Sequence, residues 1–141
     1  MKISHLFAGA ILLVLPLANL AASAQAVCNR LSEAEVSAAV GVELTRSPTD
    51  PCRFGHAFKS LSILIHSGDA PRFGEYAANA RREFSNAQPV SGIGSDAIFF
   101  GSQLAVKAHG DIIVISMFLG RSPAEKIALA KAVAQKLIAH Y

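Results

Sequence analysis

The chain has 141 residues, with 13 Lys and Arg against 10 Asp and Glu, two cysteines and no tryptophan. That is room for one domain with its own core. So even a charge balance, with Arg81-Arg82 the only adjacent basic pair, excludes the electrostatic footprint of a nucleic-acid binder.

Residues 1–26 have the pattern of an export signal. Lys2 supplies the positive start, Leu6 to Leu17 an apolar run broken only by Gly9 and Pro16, and Ala22-Ser23-Ala24 or Ala24-Gln25-Ala26 the small-x-small cleavage pattern. The run falls short of the roughly 18 to 20 uninterrupted apolar residues of a spanning helix, so cleavage is expected and no membrane span should remain. Lys2 is the only charged residue removed, which leaves a formal charge of +2 on residues 27–141.

Cys28 and Cys52 both lie beyond that point. An even count in an exported chain predicts a disulfide, because the compartment is oxidising. Closing a loop of about 25 residues stabilises by roughly 3 kcal/mol on the chain-entropy model. A metal pair would need further ligands at short fixed spacing, and neither Cys-x-x-Cys nor His-x-x-x-His is present.

In Leu31-Ser32-Glu33-Ala34-Glu35-Val36, Ser32 and Glu35 have the spacing of a capping box, with Leu31 and Val36 as a staple. The helix they start should run over residues 33–40 and stop at Gly41. Cys52 to Phe58 and Leu61 to Ser67 read as a hairpin turning at Lys59-Ser60, and Leu61, Ile63 and Ile65 alternate with Ser62, Leu64 and His66 as a half-buried strand requires. Pro71 with Asp69 as a cap opens a second helix, whose apolar stripe is Phe73, Tyr76, Ala77, Ala80 and Phe84.

From Ser91 to Leu119 three apolar runs, Ala97 to Phe100, Leu104 to Ala108 and Ile112 to Leu119, are separated by Gly101-Ser102 and Gly110-Asp111, which is turn chemistry. This is a three-stranded meander. Its last strand is too apolar on both sides to face water, and the helices must bury their stripes on it. Ser122-Pro123-Ala124-Glu125 repeats the capping box, and a last helix follows with Ile127, Ala130, Val133, Ala134, Leu137 and Ile138 inward. The fold class is therefore α+β: a single domain over 27–141, in the order α-β-β-α-β-β-β-α. Strands joined by tight turns make the sheet largely antiparallel, with helices on at least one face.

These features carry a resemblance. Cys28, the Leu31-Ser32-x-x-Glu35-Val36 helix, Gly41, Cys52, then Gly92-Ile93-Gly94-Ser95-Asp96-Ala97 with Phe99 and an alanine-rich last helix resemble a group of small exported bacterial proteins of unknown function, many of them lipoproteins. The resemblance implies an antiparallel sheet flanked by helices, similar in outline to the PsbP type of α/β sandwich, and implies no reaction. Gln25-Ala26-Val27 is a poor lipobox, so a soluble chain with Cys28 free to pair is expected.

Candidate chemistry is sparse. Gly92-x-Gly94-x-x-Ala97 matches a dinucleotide fingerprint only superficially, because the residues after it read as a strand where a helix N-terminus should hold the pyrophosphate. No cofactor motif is left. His56, His66 and His109 fall on three predicted strands, and a turn at Lys59-Ser60 would set His56 opposite His66 as a weak metal pair without a nearby acidic third ligand. No Gly-x-Ser-x-Gly, no Ser-x-x-Lys and no spare cysteine offers a nucleophile. Phe99 and Phe100 are adjacent on a strand and point to opposite faces, so one of them lies under a second layer or forms an exposed binding surface. The sequence is thus read as an exported, periplasmic or secreted, non-enzymatic module that binds an envelope protein, peptide or small ligand. An envelope hydrolase or metal-binding protein using His56, His66 or Asp96 is the alternative.

Overall fold

The computed structural model describes the backbone of residues 19–141 and the side chains of residues 25–141. Most of the expected export signal therefore lies outside the described residues. Helix α1 (Asn19–Arg30) runs through the expected cleavage point into α2 (Glu33–Val40), which starts and stops where its sequence dictates. The Ser32 hydroxyl accepts from the Glu35 amide, the Glu35 carboxylate accepts from the Ser32 amide, and Gly41 closes the helix at φ 69.

Strands β1 (Thr45–Arg46), β2 (Arg53–His56) and β3 (Lys59–His66) follow, then a 3-10 turn at Ala70–Arg72 and helix α3 (Phe73–Glu83). Asp69 makes no side-chain cap there; its carbonyl accepts from the Arg72 amide, and Ala70 donates to the Gly110 carbonyl. The remaining elements are β4 (Gln88–Pro89), β5 (Asp96–Phe100), β6 (Gln103–Ala108), β7 (Asp111–Phe118) and α4 (Pro123–Ile138). Helix α4 carries the second capping box, on Ser122 and Glu125.

All seven strands form one antiparallel sheet in the order β1-β2-β3-β7-β6-β5-β4. The apolar strand β7 takes the centre, paired along its length with β3 from Ser60↔Phe118 to His66↔Ile112 and with β6 on its other side. It is apolar on both faces because helices lie on both. Ile113, Ile115 and Met117 meet Leu61, Ile63, Phe99, Leu104 and Val106 under α2 and α4, contributed by Val36, Val40, Val133, Ala134 and Leu137. Ile112 and Val114 meet Ile98, Phe100 and Ala105 under α3, through Phe73, Ala77 and Ala80.

Cys28, in the last turn of α1, is disulfide-bonded to Cys52 at the approach to β2. Arg46 reinforces the same corner. Its guanidinium donates to the carbonyls of Cys28, Leu31 and Pro51 and lies 4.8 Å from the Phe54 ring centroid. A cation on the carbonyls at the end of α1 complements the negative end of that helix.

The Gly92-Ile93-Gly94 segment is a backbone turn into β5. Gly94 sits at φ 59, where a Cβ would fall 2.4 Å from the Lys107 carbonyl oxygen, and Ser95 donates its amide to that same oxygen. Ile93 is buried, and a strand follows directly.

Candidate functional site

The two faces of the sheet are not covered equally. Helices α2 and α4 together cover the first, whereas α3 alone lies on the second, over β5, β6 and the near side of β7. The register shows what this leaves open. The second-face row of β3 is Ser60, Ser62, Leu64 and His66, opposite Phe118, Ser116, Val114 and Ile112 of β7. Leu64 is 58% exposed and Phe118 64%, although both stand on strands whose other face is core. Phe58, in the turn between β2 and β3, is exposed completely. Ser60, Ser62 and Ser116 keep the floor between these apolar side chains low.

Along the flank of α3 this open half is bordered by a trough made of three depressions that share lining residues. Its first depression, about 210 Å³, is lined by His66, Asp69, Arg72, Glu75, Tyr76, Asn79 and Ile112. Tyr76 and Asn79 extend it past Glu83 to Phe84 and Phe100, and those two rings extend it to Gln103, Ser116 and Phe118. Tyr76 is the hub. Its ring centroid is 6.1 Å from that of His66 and 5.9 Å from that of Phe100, whose ring is in turn 5.2 Å from Phe84. Burial raises the Tyr76 phenol above its ordinary range, so the hydroxyl stays protonated at neutral pH.

The walls differ in charge. The α3 side carries Asp69, Glu75 and Glu83 against Arg72, which lies 3.7 Å from Glu75 at a well-exposed site. On the opposite side, Arg53 of β2 stands on the same face as its partner Ser62 and lies 3.9 Å from Asp50.

The residues singled out in the sequence fall in different places. His56 and His66 are not neighbours, because the hairpin turns at Ala57-Phe58, with Ala57 at φ 53, and not at Lys59-Ser60. His56 therefore faces Lys59 at one end of β3 while His66 faces Ile112 at the other, about 20 Å away at the rise of an extended strand. Among the described residues no group of three or more His, Cys, Asp or Glu is placed to hold a metal ion. His109 occupies the β6–β7 turn, where its ring stacks on Tyr141 at 4.7 Å. The Tyr141 hydroxyl donates to Asp111, and burial together with that carboxylate pushes the phenol up.

Asp96 opens β5, and its carboxylate accepts from the amide of Ala97. Of the two alternatives for Phe99 and Phe100, cover by a second layer holds, and the candidate binding surface on these two rings is corrected. Phe99 is 1% exposed in the core beneath α4, and Phe100 is 5% exposed beneath α3, because the strand is covered on both sides. Phe100 lines the trough with Phe84, where the second and third depressions meet. The apolar exposure lies instead at Leu64 and Phe118. The one sequence signal for it was Leu64 itself, an apolar side chain in the otherwise polar outward row of β3.

Among the described residues no helix is long and apolar enough to cross a membrane. The chain was compared with family models, with curated proteins and with solved structures, and none of the three comparisons yields a match.

Proposed function

We propose that this protein is an exported, disulfide-stapled interaction module, and that the open half of its second sheet face is where a partner docks in the cell envelope. One observation carries the reading: Leu64 and Phe118 stand more than half exposed on the two strands at the middle of the sheet, next to Ile63 and Met117, which are buried on the other face. An apolar patch rimmed by serines and charged side chains is what an interaction surface requires. The Cys28–Cys52 bridge supports an oxidising location.

A metal reading built on the strand histidines has less support, since the pair needs His56 beside His66, and His56 faces Lys59 at one end of β3 while His66 stands at the other.

The test is site-specific photo-crosslinking in the native host. A benzophenone side chain at Ser62, on the open face, should give a discrete adduct of higher mass. The same group at Ala128, exposed on the outer side of α4, should not. Equal labelling from both positions, or none from Ser62, would remove the proposal.

A further inference from the structure

The shape and charge of the trough specify its occupant more closely. Resting on the docking reading above, we infer that the occupant is an amphipathic α-helix of a different protein, lying beside α3, apolar along one stripe and basic on the shoulder that meets α3.

An extended segment does not suit this site. The backbone of β3 is paired with β7 from Ser60 to His66 and with β2 from Lys59 to Ser62, and the face between them offers side chains rather than amides or carbonyls. A strand laid on it would leave its own polar backbone unsatisfied, whereas a helix brings its hydrogen bonds with it. The edges, where a strand adds, are short: β1 and β4 have two residues each, β4 ends in Pro89, and β3 runs past the end of β2 only over Leu64–His66.

The space has the right width. Neighbouring strands are about 4.8 Å apart and packed helices about 8 to 10 Å, so a second helix beside α3 has its axis about two strands away, over β3. The other face of the same sheet already carries two helices, α2 and α4, packed against each other. Leu64 and Phe118 are offset by four residues along β3, about 13 Å, which a helix spans in about nine residues. The serines between them permit close approach.

Charge completes the description. On the α3 wall the three carboxylates of Asp69, Glu75 and Glu83 face the single cation of Arg72, which favours Lys or Arg on the adjoining shoulder. Arg53, which shares the open face with Ser62, favours the opposite sign on the far shoulder. The same pattern disfavours a second copy of this chain. A two-fold arrangement that lays α3 beside its counterpart brings the Glu75 and Glu83 rows together, and the outward face of α3, with Arg72, Glu75, Arg81 and Arg82, has no apolar stripe to offer Leu64.

The experiment uses fluorescent synthetic peptides of about 18 residues, five turns, with Leu at helical spacing and Lys on one shoulder. Anisotropy titration of the intact protein should show saturable binding, and amide shifts should centre on Leu64, Tyr76 and Phe118. Leu64→Ser should weaken binding about tenfold. Glu75→Lys/Glu83→Lys should weaken it about tenfold, and a peptide with Glu in place of Lys should recover affinity on that variant alone.

Two results would overturn the inference: an alternating, strand-patterned peptide of the same composition that binds as tightly, or a homodimer that sediments as such and dissociates on Leu64→Ser. Crosslinking from Ser62 with no helical peptide bound would defeat the helix and leave the docking face standing. Absence of crosslinking would defeat the docking face itself.

Discussion

Arg46 tests whether the corner around the disulfide is held by the bridge alone. Its guanidinium donates to the main-chain oxygens of Cys28, Leu31 and Pro51, all part-buried, and its stem brings it over the Phe54 ring. Arg46→Met keeps most of the stem and deletes every donor. Hydrogen bonds to a charged group contribute about 1.5 to 3 kcal/mol each, and a buried acceptor left without a partner costs about 1 to 3 kcal/mol. Water replaces part of this at a half-buried site, so the three carbonyls together should cost about 3 kcal/mol. Urea denaturation of the oxidised protein at neutral pH reads the loss as a lower midpoint at unchanged slope. A thiol assay on the denatured sample should read zero in both proteins, because Cys28 and Cys52 remain bridged. A loss under about 0.5 kcal/mol would refute the reasoning and reduce Arg46 to a surface residue.

Three further outcomes follow from packing and charge. Leu64→Ser should change stability by no more than about 0.5 kcal/mol, whereas Leu61→Ala, at a fully buried position on the other face of the same strand, should cost about 2 to 5 kcal/mol; thermal denaturation of the two variants separates them. Gly94→Ala should cost at least about 2 kcal/mol by chemical denaturation, because the added Cβ falls 2.4 Å from the Lys107 oxygen at a φ of 59. Glu35 is held at about 2, below its ordinary 4.5, chiefly by the Ser32 amide and then by His140, whose Nε2 lies 3.0 Å away. A depressed carboxylate stabilises above its unfolded value, and that share is lost as pH falls from 4.5 towards 2; with the side chain a third exposed it is discounted to about 1 kcal/mol. Glu35→Gln should lower stability at neutral pH by that amount and flatten the acid limb of a stability profile.

What was legible in the sequence was local. Ser32 with Glu35 and Ser122 with Glu125 name the first turns of α2 and α4, because a capping box is set by residues three apart. The Gly101-Ser102 turn falls where expected, and the last turn of the meander falls one residue earlier, at His109-Gly110, since Ala108 pairs with Asp111. The α+β class and antiparallel pairing follow from the same short-range signals. The β2–β3 turn did not follow, because Ala57 takes a positive φ without a glycine or asparagine to announce it. That shift separated His56 from His66. Strands β1 and β4 are two residues each, too short to carry a period, and the carbonyls that Arg46 gathers lie up to 18 residues away in sequence.

The candidate site was illegible for a stronger reason: it is defined by a contact between strands far apart in the chain. Whether an outward Leu64 is a stray surface residue or the floor of a trough depends on what stands beside it, and that is Val114 of β7, fifty positions later. No periodicity within β3 encodes the neighbour. Likewise Phe99 and Phe100 have the same adjacent pattern whether one side of the strand is bare or both are covered. Only the order β3-β7-β6-β5 shows α3 occupying the half of the face above Phe100 and leaving the half above Leu64. Because β7 lies between them, apolar on both faces, extending the cover by one helix would continue the existing core across Val114 to Leu64. The core therefore stops at that boundary, because among the described residues no helix lies over Leu64.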